Sequence, residues 1–222
     1  MNTSFVNTAR LLGAGLRALL VLTLVTGVIY PLVVTGIAQG LFHDKANGSE
    51  IQADGRVVGS SLIGQSYNLP LKQGQRTADP DLRWFQGRPA NGLGTNTVNT
   101  RYKLILSGAT NLSADSKDLI QQVENAKSAV VRDNSVPGYR VDPSDVPADA
   151  VTSSGSGLDP AISPQYAALQ VHRVAARNRL SVAVVEKLVE DHTQGRTLGF
   201  IGDPQVNVLE LNIALRNLTA GT

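Results

Sequence analysis

The sequence predicts an α/β or α+β protein in which one N-terminal transmembrane helix precedes a single mixed helix/strand globular domain. Residues 18–42 form an apolar run without a charged side chain, and capped helical patterns alternate with short β-rich segments after it. At about 1.5 Å per residue the run spans roughly 37 Å, more than a hydrocarbon core of about 30 Å. We therefore expect a tail and span over 1–43 and the globular domain over 44–222.

A cleaved signal peptide is the alternative interpretation of the apolar run. Signal peptides have apolar regions of about 7–15 residues that end at a small-residue cleavage site. This run is longer, and its end, Ile37-Ala38-Gln39-Gly40-Leu41-Phe42, matches such a site poorly. The sequence favours an uncleaved anchor with a kink at Pro31, which a membrane span tolerates when neighbours satisfy the freed carbonyl.

Charge asymmetry predicts the orientation of the span. Arg10 and Arg17 precede it, and no acidic residue lies before Asp44. The positive-inside rule then favours a cytoplasmic N-terminus and a domain on the outer face of the membrane. Removing these two arginines from the 20 basic residues leaves 18 against 18 acidic ones. A neutral domain argues against nucleic-acid binding.

Cysteine is absent, and the three histidines are scattered at His43, His172 and His192. Disulfides and thiol chemistry are therefore excluded. No metal site is predicted, because zinc sites need several cysteine or histidine ligands at short spacing. We expect His172 and His192 to be solvated or to cap helices.

Helices and strands of the domain are predicted from capping residues and hydrophobic periodicity. The predicted helices are one capped by Ser113 and ending near Arg132, one from Ser163-Pro164, one capped by Ser181 over Val182–His192, and one from Asp203-Pro204 through Leu218, where Val206–Val208 is alternatively a strand. The predicted strands are 56–59 after a turn at Asp54-Gly55, 62–67, 82–85 and 197–201, and residues 132–160 are expected to form a long loop.

Motifs for catalysis by this chain alone are missing from the sequence. It has no G-x-x-x-x-G-K-[ST] phosphate loop, no G-x-S-x-G nucleophile turn and no H-E-x-x-H zinc helix. Residues 44–48, Asp-Lys-Ala-Asn-Gly, superficially resemble the phosphorylation motif of P-type ATPases but lack its Thr-Gly-Thr, so a turn is the better interpretation. We expect an accessory or binding protein rather than an enzyme.

Small residues in the span form a candidate surface for helix packing. Gly36 and Gly40 make a G-x-x-x-G pair, and Gly27 adds a third position without a side chain. Such faces allow helix backbones to approach closely in a membrane. Glycine is also common in membrane helices in general, and both interpretations stay open.

Trp84, Phe85 and Arg88 form a candidate partner interface. Tryptophan and arginine are favoured anchors of binding surfaces. An aromatic pair at the end of a strand is also typical of a core, which is the alternative for these residues.

A serine and glycine loop is a candidate nucleotide or anion site. Its residues are Ser154, Gly155, Ser156 and Gly157, with Gln165 beyond them. Successive backbone N–H groups and hydroxyls near a helix N-terminus can hold a phosphate. The alternative is an ordinary loop and helix cap, because the loop has no lysine.

Several co-linear motifs give the chain a family resemblance that covers nearly its whole length. They are Gly64-Gln65-Ser66, Phe85-Gln86-Gly87-Arg88-Pro89, Ser107-Gly108-Ala109-Thr110-Asn111-Leu112, residues 151–160 with Ile162-Ser163-Pro164-Gln165, and the closing stretch 206–215. In this order, and after one N-terminal span, they resemble the KdpC subunits of Kdp potassium-transporting ATPases.

The resemblance implies a non-catalytic subunit of an ATP-driven, high-affinity potassium importer in the bacterial inner membrane. Its implied partners are a channel-like potassium-translocating subunit, a P-type ATPase subunit, a small single-span subunit and membrane lipid. The family is described as an assembly factor and as a catalytic chaperone for ATP binding by the pump subunit. The resemblance implies no cofactor of its own, with ATP at the level of the complex.

A direct ATP contact conflicts with the predicted topology, because ATP is cytoplasmic and the domain is expected outside. We expect instead that the domain covers the entrance of the potassium subunit and acts on the pump through shared membrane helices. Asp142, Asp145 and Asp149 would raise the local potassium concentration there, or would simply be solvated. Two other classes stay open: an orphan membrane-anchored binding protein on the outer face, and a membrane-tethered hydrolase, which would need a buried acid or nucleophile cluster that the sequence does not reveal.

Overall fold

The structure is a computed structural model that describes residues 3–75, 77–95 and 105–220 of the chain. The chain divides into two compact units, Met1–Glu50 and Ile51–Thr222. The first unit is helical, and the second combines helices with small sheets. The predicted mixed fold class with a long apolar N-terminal helix is therefore confirmed.

The N-terminal unit consists of consecutive helical segments. They are α1 (Thr3–Leu24), a π-helical turn (Val25–Ile29), α2 (Tyr30–Leu41) and the short α3 (His43–Ala46). Ser4–Leu41 is long and apolar enough to cross a membrane, and no second such helix occurs in the part of the chain that the structure describes. Its large apolar side chains are exposed, as an apolar environment around the helix requires. Residues 44–48, expected to form a turn, lie in α3 and the turn that follows it.

Pro31 lies near the π-helical turn, separated from its last residue, Ile29, by Tyr30. The N–H of Tyr30 donates to the carbonyl of Val25, five residues back, and this bond widens the helix. Proline has no N–H, and its ring clashes with the carbonyl four residues before it in an ordinary α-helix. The structure thus accommodates Pro31 with a π-helical turn where the sequence predicted a kink.

Short strands and longer helices follow along the chain. In order they are β1 (Glu50–Ala53), β2 (Arg56–Ser60), β3 (Gly94–Thr95), β4 (Ile105–Leu106), α4 (Lys117–Asn134), β5 (Ala161–Ile162), α5 (Pro164–Asn178), α6 (Val182–Asp191), β6 (Thr193–Gln194), β7 (Gln205–Asn207) and α7 (Val208–Ala220). β1 pairs with β2 and β3 with β4, whereas β7 lies between β5 and β6 in an antiparallel sheet.

Serine side chains cap three of these helices. Ser163 and Ser181 cap α5 and α6, as predicted, by accepting a hydrogen bond from the N–H three residues further on. The predicted cap of α4 is wrong, because Ser116 accepts from the N–H of Leu119 at 3.5 Å. Ser113 instead donates to the carboxylate of Asp115 at 2.6 Å, so the helix begins three residues later than expected.

The last helix also begins later than the sequence predicts. Residues 205–207 form β7, which is paired on both sides, and α7 begins only at Val208. The Oδ1 atom of Asn207 accepts from the N–H groups of Leu209 (3.1 Å) and Glu210 (3.2 Å) and so caps α7. The start at Asp203-Pro204 is therefore wrong, and the strand alternative holds for Val206 and Asn207.

One of the predicted strands is confirmed, and three are wrong. Residues 56–59 lie in β2, after a turn in which Asp54 and Gly55 have φ values of 53° and 73°. Residues 62–67 and 82–85 form no strand, and 197–201 contains only one isolated bridge. In 82–85 the four carbonyl groups and the N–H of Phe85 are hydrogen-bonded to side chains instead of to a neighbouring strand.

The core lies where α5, α6 and α7 pack with the three-stranded sheet. Its buried residues are Phe85, Val130, Val141, Ala150, Ile162, Tyr166, Ala167, Leu169, Val171, Val174, Ala175, Val185, Val189, Val206, Val208, Leu211 and Leu215. The predicted long loop, residues 132–160, begins within the last turn of α4, which ends at Asn134. The rest of it contains two short 3-10 turns, Pro143–Asp145 and Ala148–Ala150. Val141 and Ala150, each 2% exposed, anchor it in the core.

Candidate functional site

Side-chain amides hold the backbone of the Phe85-Gln86 motif. The Oδ1 of Asn212 accepts from the N–H of Phe85, and its Nδ2 donates to the carbonyl of the same residue, both at 2.9 Å. Gln170 does the same for Gln86, accepting at 2.7 Å and donating at 3.1 Å. These two amides take the place of a neighbouring strand, so the backbone of Phe85 and Gln86 is hydrogen-bonded without belonging to a sheet.

Arg173 of α5 is a buried cation beneath the same segment. It is 1% exposed, and its guanidinium donates to the carbonyls of Leu82 and Trp84. It also donates to Asn134 Oδ1 at 2.8 Å and to Gln170 Oε1 at 2.6 Å. Burial lowers the pKa of Arg173 to about 10, which leaves the side chain charged at neutral pH.

Three of the glycine-containing motifs meet in close backbone contact. The N–H of Gly64 donates to the carbonyl of Leu158 at 2.8 Å, and the N–H of Gly108 donates to that of Ser156 at 3.0 Å. A Cβ atom on Gly64 would lie 2.3 Å from the carbonyl oxygen of Asp159. Glycine is needed there because no side chain fits, so the motif is explained by packing.

The N–H groups of Ser154, Ser156 and Gly157 in the candidate anion loop are hydrogen-bonded within the domain. Ser154 is 2% exposed, and its Oγ accepts from the N–H groups of Gly157 (2.9 Å) and Ser156 (3.2 Å). The Oγ of Ser156 accepts from the N–H of Leu158 at 3.0 Å and donates to the carboxylate of Asp159 at 3.4 Å. Gly155 is exposed at the turn. This geometry is that of a self-capped loop, with a carboxylate beside it.

Arg88 lines several surface clefts, two of which also share Gln205. Its guanidinium donates to Asp159 at 2.8 Å, and its side chain is 26% exposed. One cleft, of about 640 Å³, is also lined by Asp149, Gln165 and Gln205. The other, of about 510 Å³, is lined by residues that include Leu62, Gln194, Gln205 and Glu210. Arg88 is thus the interface candidate that the structure leaves open to a partner, and Gln165 lies in the cleft beside it.

The aromatic members of the same motif point into the domain. Phe85 is 0% exposed and belongs to the core. Trp84 is half-buried, and its ring centroid lies 6.1 Å from that of Tyr67. Their placement favours the core interpretation over the partner interface for Phe85 and leaves one edge of Trp84 at the surface.

The glycines of the apolar helix present bare backbone. A Cβ atom on Gly36 or Gly40 would have no neighbouring heavy atom within 4 Å, and one on Gly27 would meet only the Thr23 methyl group at 3.9 Å. These glycines therefore leave room for a partner helix to approach the backbone closely. Helix packing at these positions stays a prediction.

The histidines and acids have structural roles. The ring of His172 stacks on that of Tyr139 with 3.7 Å between ring centroids, so His172 is not simply solvated. The Nδ1 atom of His192 lies 2.8 Å from the carbonyl oxygen of Leu188 at the end of α6. Asp142 accepts from the N–H of Ser144 and Asp149 from that of Ser163. Over residues 3–75, 77–95 and 105–220 no three His, Cys, Asp or Glu side chains group as metal ligands.

Sequence reasoning missed the residues that organise this region, namely Gln170, Arg173 and Asn212. The signal was present, because all three are polar residues at positions that helical periodicity assigns to a buried face. Buried polar side chains are almost always hydrogen-bonded, so their partners had to lie in an irregular segment with free backbone groups.

These observations define a class of protein: a small mixed domain on one apolar N-terminal helix, with its motif residues concentrated around a half-buried arginine. The family model described as KdpC, "K+-transporting ATPase, c chain", matches residues 12–217. The chain therefore belongs to the KdpC family of subunits of potassium-transporting ATPases.

Individual relatives agree with the family match. The chain is 76% identical to a potassium-transporting ATPase KdpC subunit of Streptomyces coelicolor, over 99% of this chain and 98% of the relative. It is 74% identical to the corresponding subunit of Streptomyces avermitilis, over 99% of both chains. A KdpC subunit of Gemmatimonas aurantiaca is 45% identical over 92% of this chain and 94% of the relative. The resemblance that the motifs predicted is confirmed.

Proposed function

We propose that this chain assembles and stabilises a potassium-importing ATPase complex as its anchored, non-catalytic subunit. The observation that carries the proposal is which groups the motif residues contact. They bind one another and leave a rigid surface around Arg88, which is what a docking module requires. The proposed partners are a channel-like potassium-translocating subunit, a P-type ATPase subunit and a small single-span subunit.

The test is complex formation with and without this chain. A tagged ATPase subunit is purified in mild detergent from cells that express the complex with the full chain or without it. We expect the potassium-translocating subunit to be retained only when the chain is present, and growth at low potassium to follow the same pattern. Full retention in its absence would contradict an assembly role.

We further propose that ATP acts at the level of the complex and that the catalytic-chaperone role is exerted through subunit contacts. Support comes from the loop at Ser154–Gly157, where the N–H groups of Ser156 and Gly157 donate to the Ser154 hydroxyl and the N–H of Ser154 donates to the Pro89 carbonyl. The Asp159 carboxylate lies beside the loop. A phosphate there would have to displace those bonds and face a negative charge. A photoreactive ATP analogue added to the assembled complex should label the pump subunit, and labelling of this loop would refute the proposal.

The proposed topology places the N-terminus in the cytoplasm and the domain outside, in the bacterial inner membrane. The cysteine-free chain allows a direct test with single cysteines at exposed positions, Ser4→Cys at the N-terminal end of the apolar helix and Ser128→Cys on α4. An impermeant thiol reagent added to intact cells should label position 128 at once and position 4 only after lysis. The reverse pattern would place the domain in the cytoplasm and revive direct nucleotide binding.

A further inference from the structure

The connection between β6 and β7 holds three large apolar side chains in solvent. Leu198 is 80% exposed, Phe200 73% and Ile201 51%. We call these three residues the apolar tip. Single exposed apolar residues are common on protein surfaces, but adjacent ones that form a patch mark interaction sites.

The apolar tip has a defined backbone conformation. The N–H of Thr197 donates to the carbonyl of Ile201 at 2.9 Å, and the N–H of Ile201 donates back at 3.0 Å. Leu198 has a φ of 54°, in the left-handed region that Gly and Asn adopt more readily than Leu. The turn therefore presents its apolar side chains in a fixed arrangement, which lowers the entropy lost on binding.

The base of the hairpin that carries the apolar tip lines the clefts around Arg88. Gln194 and Gln205 pair at the base of the hairpin, and both line the cleft of about 510 Å³ that Arg88 also lines. Asp203 and Gln205 line the other cleft, of about 640 Å³, again with Arg88. An apolar centre beside a polar rim of amides and ion pairs is the usual composition of a protein–protein interface.

The charges around the apolar tip favour a protein over a lipid surface. Arg196 lies 3.5 Å from Asp203, and Arg88 is paired with Asp159 at 2.8 Å. Glu210 adds a further carboxylate to the rim. Loops that bind anionic membranes carry an excess of lysine or arginine. This surface has no such excess, because Arg196 and Arg88 are each paired with an aspartate.

We propose that the apolar tip inserts into an apolar pocket on another subunit of the potassium-transporting complex, with the Arg88 clefts as the polar rim of that interface. The inference rests on the proposed function, because the assembly role supplies the partner. It adds the surface that is used and the chemistry of the pocket that receives it.

Fluorescence at the apolar tip tests this inference in the full chain. An environment-sensitive dye is attached to Phe200→Cys and, as a control, to Leu71→Cys, which replaces another exposed apolar residue (58%) outside the hairpin. We expect a blue shift at position 200 in the assembled complex and none at position 71. The chain alone in phosphatidylethanolamine/phosphatidylglycerol vesicles should show no shift at position 200. An equal shift in those vesicles would assign the tip to lipid, and no shift in the complex would leave it in solvent; either overturns the proposal.

Variants of the apolar tip give a second test. Leu198→Asn keeps a residue that tolerates the positive φ, and combined with Phe200→Ser it removes most of the exposed apolar surface. Because a few buried apolar anchors dominate an interface, we expect about tenfold or more weaker retention of the chain by the complex. The melting temperature of the chain alone should be unchanged, and Leu71→Ser should be retained like the unaltered chain.

The two proposals fail differently. If the unaltered chain isn't retained by the other subunits, the assembly role fails. If the unaltered chain is retained and the double variant is retained equally well, the assembly role stands and only the role of the apolar tip is overturned.

Discussion

Asn212 forms a two-point hydrogen bond with the backbone of Phe85, 127 residues earlier in the chain, with both distances at 2.9 Å. Both partners are fully or almost fully buried, at 2% and 0% exposure. The bond therefore connects the family motif to the last helix in a place where water can't substitute for either group. The contribution of this bond to the free energy of unfolding can be measured directly.

Replacing Asn212 by Ala should destabilise the domain by about 2–4 kcal/mol, because the N–H and the carbonyl of Phe85 would both be buried without a partner. The measurement is urea unfolding of the full chain in mild detergent, followed by Trp84 fluorescence. Asn217→Ala, at an exposed position on the same helix, is the control and should change the free energy of unfolding by less than about 0.5 kcal/mol. Equal effects of the two variants would contradict the role of the amide.

Arg173 should tolerate neither removal nor conservative replacement. Methionine would leave the carbonyls of Leu82 and Trp84 and the Asn134 side chain without their donor, at about 3 kcal/mol or more. Lysine keeps the charge but lacks the planar fork that reaches several acceptors, so Arg173→Lys should also destabilise. Arg179→Lys at the exposed end of α5 is the control. Stability of Arg173→Lys within about 0.5 kcal/mol of the unaltered chain would show that the charge alone suffices.

The parts of the fold that depend on local signals were predictable. Ser163 and Ser181 lie beside the helices that they cap, and the apolar run is continuous in the sequence. A capping bond reaches only two or three residues, and helical periodicity appears within one helix. Such features require no knowledge of the rest of the chain.

The remaining features depend on contacts between distant residues. Residues 82–85 have a strand-like composition, but their carbonyl groups accept hydrogen bonds from the side chains of Arg173, Asn178 and Asn212. The start of α7 was missed because residues 205–207 pair with two strands that the sequence did not reveal. At the candidate site, the pattern named Trp84, Phe85 and Arg88 together and could not separate the partly exposed residues from the buried Phe85, because exposure is set by the whole fold.

Gly64→Ala should destabilise the domain by about 1–3 kcal/mol, because the new Cβ would lie 2.3 Å from the backbone oxygen of Asp159. Backbone on both sides has to move for the methyl group to fit. Gly87→Ala is a matched control, since a Cβ there would have no heavy atom within 4 Å. Thermal unfolding of both variants checks the difference, and equal melting temperatures would contradict the close approach.

Asp81 should contribute to stability at neutral pH and lose that contribution in acid. Hydrogen bonds from Arg83 lower the pKa of the Asp81 carboxyl below its ordinary value in the folded chain. The unfolded chain therefore takes up a proton at higher pH than the folded one, and stability falls as the pH drops below about 4. Asp81→Asn removes this group, so its deficit in urea midpoint should be clear at pH 7 and should shrink towards pH 3. A constant deficit would assign the effect to packing.

Replacing Arg88 should weaken assembly of the complex more than it destabilises the domain. Its pair with Asp159 is partly exposed, so Arg88→Met should change the free energy of unfolding by about 1 kcal/mol or less. If the clefts around Arg88 dock another subunit, the same variant should lower retention of the chain by the complex by up to about tenfold, because the guanidinium lines both clefts and arginine is enriched among the residues that dominate interfaces. Lys187→Met, which removes another cation of an exposed ion pair, is the control and should be retained fully. A loss of retention that matches the loss of stability would show that Arg88 acts only within the domain, whereas a loss without unfolding would locate the interface at this side chain.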